Sequence, residues 1–144
     1  MFVPKFITVH SLAEAAKAIN APHEDFPLRV PETYDMLKCH RTCNQIDLKA
    51  ALKIHSYVMQ ELPSRGLTRR VNVIVGGDIP PSWMLVEEKI KELFPVMAGS
   101  FQELSDWYQR FQTLHPFEDG NGRVGGIVVV VLAKEEGSYW APCQ

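Results

Sequence analysis

Cysteine is scarce: three residues in a chain of 144, an odd number and too few for a disulfide framework. Cys39, Cys43 and Cys143 are therefore read as reduced thiols, which favours an intracellular setting. The pair Cys39 and Cys43 with His40 between them lacks the second ligand pair of a structural zinc site, so buried helix cysteines are expected. There is no excess of positive charge. Fifteen Lys and Arg against seventeen Asp and Glu leave a net charge of −2, which excludes a global basic field for nucleic acid or an anionic membrane. Any polyanion must be met by a local site. Long hydrophobic runs are missing too, since the longest, residues 125–133, falls well short of the ~20 that span a bilayer. The first seven residues include Pro4 and Lys5 and no continuous apolar stretch, unlike a signal peptide. A cytoplasmic protein, or one delivered into a host cytoplasm, is expected, with neither membrane nor nucleic acid as partner.

Hydrophobic residues make up 46% and charged residues 22%, the balance of a globular chain with one core. No repeat or long linker interrupts it, so residues 1–144 are read as a single domain. Ser11 with Glu14 suggests a capping box ahead of an Ala-rich helix reaching Ile19. Residues 20–31 hold three prolines and read as a connector, with Pro31 opening the next helix. Asp47 is placed as the cap of a helix carrying Leu48, Ala51, Leu52, His55, Val58, Met59 and Leu62 at helical spacing, closed by Pro63 and Gly66. Ser82 and Ser100 each cap a later helix. The first has Trp83, Val86, Ile90, Leu93 and Phe94 on one face; the second has Phe101, Leu104, Trp107, Tyr108, Phe111 and Leu114.

Between the helices the character changes. Val71-Asn72-Val73-Ile74-Val75 is β-branched and is closed by Gly76-Gly77-Asp78 before Ile79 and Pro80-Pro81, the pattern of a small hairpin. The expected class is mainly α with a short β-hairpin. Arg65, Arg69 and Arg70 before it form a basic cluster, best read as a solvated turn, and His55 reads as a satisfied core or boundary histidine.

The chemistry concentrates in one string: His115-Pro116-Phe117-Glu118-Asp119-Gly120-Asn121-Gly122-Arg123. Pro116 turns the chain, and the glycines allow the backbone close to a ligand. Successive N–H groups opening a helix make an anion nest, and Arg123 adds a fork suited to phosphate. Asp119 offers the hard oxygen that Mg²⁺ prefers. His115 is the side chain whose pKa suits a general base near neutrality. The Gly-x-x-x-x-Gly-Lys-Ser/Thr phosphate loop is absent.

That string resembles the signature of the Fic family, His-Pro-Phe-x-Asp/Glu-Gly-Asn-Gly-Arg, at every specified position. The resemblance extends to residues 71–81, similar to the Fic flap, and to the Trp107-Tyr108-x-x-Phe111 face. It implies a Fic-type helical core over residues 47–135, with the flap at 71–81 and the motif at 115–126; residues 1–46 are N-terminal helices on which it is silent. The implied activity is protein adenylyl transfer, with ATP as co-substrate and Mg²⁺ as cofactor. His115 would deprotonate a target Ser, Thr or Tyr, and Asp119 would bind Mg²⁺. Gly120, Asn121 and Gly122 would line the anion hole, Arg123 would steady the β-phosphate, and Phe117 would anchor the loop. The flap residues Val73, Ile74, Val75, Gly76 and Gly77 would dock an extended segment of the protein substrate. Alternatives are a Doc-like kinase transferring the γ-phosphate, a binding module without turnover, and donors such as UTP or CDP-choline.

Two departures stand out. Gly126 occupies the place of a second Arg common in the family, and no inhibitory Ser/Thr-x-x-x-Glu-Gly/Asn helix is found, since Glu136-Gly137 has Leu132 in the Ser/Thr position. Either the usual autoinhibition is missing or the inhibitor is a separate, antitoxin-like chain. Residues 127–131 are five β-branched residues that propensity reads as a strand, whereas the resemblance requires a helix there.

Overall fold

The computed structural model describes residues 5–134 and 139–143; Glu136 and Gly137 lie outside them. In chain order the elements are β1 (Lys5–Val9), α1 (Leu12–Asn20), α2 (Phe26–His40), β2 (Gln45–Ile46), α3 (Leu48–Val58), α4 (Trp83–Lys91), β3 (Val96–Met97), α5 (Phe101–Leu114), α6 (Asn121–Leu132) and β4 (Tyr139–Cys143). The fold is mainly α. Its two antiparallel sheets, β1 with β4 and β2 with β3, are two-stranded and were not legible in the sequence. No helix among the described residues is long and apolar enough to cross a membrane.

Local chemistry sets most helix starts. Asp47 Oδ1 accepts the Ala50 N–H at 2.7 Å. Ser100 and Glu103 form a complete capping box that starts α5. At α1 the box is shifted: Ser11 caps Glu14, while the Glu14 carboxylate reaches the His10 N–H rather than that of Ser11. The connector expected over residues 20–31 is shorter than that, because α2 starts at Phe26 with Asp25 as its cap residue and encloses Pro31. Pro27 fits in the first turn, whose N–H groups have no intrahelical acceptor, while Pro31, the sixth helical residue, forgoes one intrahelical bond. At the other end of the same stretch, Cys39 is exposed and Cys43 half-buried rather than sealed in a core. Helix α3 ends at Val58, a turn before the periodicity suggested.

Helix α6 is the centre of the molecule and contacts α1, α2, α3, α5 and β4. Its valine run is helical despite its β propensity. A segment ringed by helices has no strand edge to pair with, and only a helix satisfies its own backbone polar groups there. Residues 127–132 are all buried. Gly126 lets α1 and β4 close on α6: a Cβ there would meet Ile19 at 3.0 and 3.2 Å and Pro142 at 3.3 Å. Of the two tryptophans on the apolar faces of the later helices, Trp107 is buried and Trp83 is half-exposed.

The expected hairpin over 71–81 shrinks to one bridge. Val75 and Asp78 exchange backbone bonds at 2.9 and 2.8 Å around Gly76 (φ 53°) and Gly77 (φ 89°), the two positive φ values of a type I′ turn. The strands on either side do not form. Pro80 and Pro81 remove two donors, Asn72 gives its side chain to the Trp83 N–H, and a lone two-stranded hairpin is marginal in water. Ile74 (75% exposed) and Ile79 (81%) are left on the surface.

Candidate active site

The site begins where α5 stops. His115 caps that helix in the left-handed region (φ 51°, ψ 62°), a conformation that costs a non-glycine residue ~1–2 kcal/mol. It swings the chain away from the helix axis into the loop that leads to α6. Gly120 then opens α6 with φ 86°, and a Cβ at that position would come within 2.7 Å of Met59 Cγ, so only glycine fits.

Through those turns several backbone groups are tied down. Arg69 Nε donates to the His115 carbonyl at 2.6 Å, and the Arg69 backbone N–H donates to that of Pro116 at 2.9 Å. Asn121 grips Phe117 twice, accepting its N–H at 2.9 Å and donating to its carbonyl at 2.8 Å. The ring of His55 stacks on Phe117, with centroids 3.9 Å apart and planes 12° from parallel. Its Nε2 lies 2.9 Å from the Asp119 carbonyl, and its Nδ1 accepts the Gly66 N–H at 2.9 Å. A carbonyl can only accept and an amide only donate, so His55 is the neutral Nε2–H tautomer. Burial pushes its pKa below the ordinary histidine value against the pull of the Asp119 carbonyl and carboxylate.

A cavity of about 630 Å³ lies over this loop, within the range of small-ligand sites. His115, Asp119, Gly120, Asn121 and Gly122 line one side of it; Val75, Gly76, Asp78, Ile79 and Pro80 of the flap line another, and His23 contributes from the N-terminal segment. The first intrahelical bond of α6 runs from the Val124 N–H to the Gly120 carbonyl. The amides of Asn121, Gly122 and Arg123 therefore have no intrahelical acceptor, and the helix dipole favours an anion at that end. His115 is half-buried; burial first, then the Arg69 guanidinium, pull its pKa below the ordinary histidine value, while Asp119 opposes them. The imidazole is accordingly neutral at pH 7 and able to accept a proton.

Asp119 is exposed. Its Oδ1 accepts the Gly120 N–H at 2.8 Å and lies 3.3 Å from Arg123 Nη2, so that among the described residues Oδ2 is the oxygen left to meet a cation. No cluster of three or more His, Cys, Asp or Glu that could hold a metal occurs among the described residues. Mg²⁺ fits such a single carboxylate, because it keeps several waters and takes further oxygens from substrate phosphates.

Arg123 sits differently from its expected place. It is 1% exposed and does not line the cavity. Its Nη1 is held by both oxygens of Asp25 at 2.7 and 2.8 Å. Asp25 in turn accepts Arg29 Nε at 2.6 Å. Burial raises the Asp25 carboxyl, but the bonds from the two arginines outweigh it and the net pKa is lowered. Position 126, where a second Arg was weighed, faces Ile19 and Pro142, so a longer side chain there would first have to displace α1 and β4.

Of the flap residues singled out, Val75 and Gly76 border the cavity, whereas Val73, Ile74 and Gly77 do not. Phe117 is fully buried, as an anchor should be. The solvated-turn reading fails for Arg69, which is 1% exposed, and holds for Arg65 and Arg70, which are exposed. Sequence reasoning missed Asp25 and His23. Asp25 followed by Phe26-Pro27 was a readable helix start; His23 carried no signal.

The structure defines a mainly helical domain with a cavity over the start of its central helix. A sequence model of the Fic/DOC family matches residues 45–133, and the chain belongs to that family. Membership sets the coarse activity as transfer of AMP or a related group. No curated protein matches the chain.

Proposed function

We propose that this protein transfers AMP from ATP to a Ser, Thr or Tyr hydroxyl of another protein. The observation that carries the reading is the single cavity shared by His115, Asp119, the N-terminal amides of α6 and the flap turn. In the proposed step the His115 imidazole takes the hydroxyl proton as the oxygen bonds to the α-phosphorus. The bond from that phosphorus to the β-phosphate's bridging oxygen breaks, and pyrophosphate leaves. The α6 amides hold phosphate oxygens, and Arg123, buried and paired with Asp25, ties the start of α6 to the start of α2. Mg²⁺, when bound, would neutralise phosphate charge, with Asp119 as its protein ligand. An extended segment of the target adds to the flap edge, where the Val75–Asp78 bridge leaves neighbouring backbone groups outside any ladder.

Label transfer into lysate proteins tests the proposal, using Mg²⁺ and ATP labelled on the α- or the γ-phosphate. Transfer of α-label only, reduced ~10²–10⁴-fold in His115→Ala, is expected. Transfer of γ-label only would overturn the adenylyl reading in favour of a kinase.

A further inference from the structure

The flap and the loop carrying His115 are joined by one side chain. Arg69 is buried, and among the described residues it has no carboxylate partner; its guanidinium is spent on backbone carbonyls. Nε donates to His115 O at 2.6 Å, Nη2 to Leu114 O at 3.2 Å and to Pro81 O at 2.6 Å, and Nη1 to Val71 O at 2.8 Å. Two of those carbonyls form the end of α5, where the chain turns left-handed. The other two are the two ends of the flap, residues 71 and 81. The fixed fork of an arginine can span four acceptors in this way; an ammonium, with three donors at one point, cannot.

We propose that Arg69 is the positioning residue of this site, a clamp that fastens both feet of the flap to the backbone of His115 so that a segment docked on the flap is held in register with the base. The flap has one bridge of its own, so without the clamp nothing else described ties both of its ends to the loop. The same interaction holds the left-handed turn at His115 by occupying the carbonyls of residues 114 and 115, which a helix end otherwise leaves to water. A carbonyl-bound cation beside the imidazole also opposes its protonation, and burial leaves a guanidinium charged. Geometry and charge can be separated, because Arg69→Lys keeps the charge and loses the fork. This inference rests on the reading of His115 as base only for its catalytic consequence; the clamp itself is measurable without turnover.

The first measurement is on the unaltered protein. In nitrogen-15 NMR the Arg69 Nε–H should persist under conditions where exposed Arg65 and Arg70 exchange with water too fast to see. Exchange of Arg69 as fast as theirs would overturn the clamp, whatever any variant does. The second is amide exchange in Arg69→Lys. Val75 and Asp78 should exchange about ten-fold faster or more, the His115 ring resonances should move, and amides of α6 at residues 127–131 should stay protected. Flap exchange and His115 resonances unchanged from the parent would refute the coupling. In the transfer assay, the lysine variant should raise KM for the protein target more than KM for ATP, a split that mere loss of stability does not produce. Clamp signatures present with no label transfer at all would count against adenylyl transfer and leave the clamp standing. Normal transfer with an unprotected Arg69 Nε–H would do the reverse.

Discussion

The loop of residues 115–123 and the flap of residues 71–81 face one cavity and are held in opposite ways. The loop has three side chains assigned to its backbone, two from other segments and one of its own: His55 on Asp119, Arg69 on His115 and Asn121 on Phe117. Its aromatic anchor is fully buried. The flap has one bridge, two glycines at its tip and two isoleucines in water. The chemistry of phosphoryl-type transfer is mostly positioning, and the rigid side of the cavity is the side that must position. A surface that accepts a peptide by backbone pairing can instead remain under-bonded until the partner arrives.

Substitutions should divide along that line. Asn121→Ala strips a buried N–H and a buried carbonyl of Phe117 of their partners, and at ~1–3 kcal/mol for each unsatisfied group it should lower unfolding free energy by about 3 kcal/mol. Urea titration checks it, and a loss below ~0.5 kcal/mol, the level of an ordinary surface change, would mean that the loop is not held as described.

Acidification should come next in size. His23, His55 and His115 all have folded-state pKa values lowered from 6.5, by burial foremost. The unfolded chain binds protons near 6.5 that the native state refuses, so stability is highest above that pH and falls as pH drops toward the lowered native values. For His55, protonation also costs the bond from Gly66. Unfolding midpoints at pH 7.5, 6.5 and 5.5 should therefore decline in that order, and a flat series would contradict the buried neutral imidazoles.

The smallest effect on stability belongs to the flap. Ile74→Ser should change unfolding free energy by no more than ~0.5 kcal/mol, because the residue is 75% exposed, yet it should raise KM for a protein target. A large stability loss from this change would erase the distinction between the two regions.

What could be read from sequence follows from how local each signal is. Caps at Asp47, Ser82 and Ser100 involve contacts of two or three residues, and all three are found. The amphipathic face of α5 has one period and one core to face. The valine run of α6 misled propensity because its partners are other helices, and only the resemblance placed it correctly. The two ends of the flap looked like strands because β-branched composition records preference, whereas strands need an edge to pair with. Arg69 looked like part of a solvated cluster because nothing within five residues announces carbonyls 45 and 46 positions away. Asp25 and Arg123 are 98 positions apart, and no pattern in either neighbourhood refers to the other.

That last pairing bears on how portable the motif is. Residues 45–133 hold the family match, but the acid that neutralises Arg123 and the second imidazole of the cavity come from residues 25 and 23. Copied into another scaffold, the nine residues from His115 to Arg123 would bring along a guanidinium that must be sealed from water with its counterion left behind. A working transplant of this signature would have to carry an acid in the place of Asp25, so the portable unit is the loop together with the start of α2.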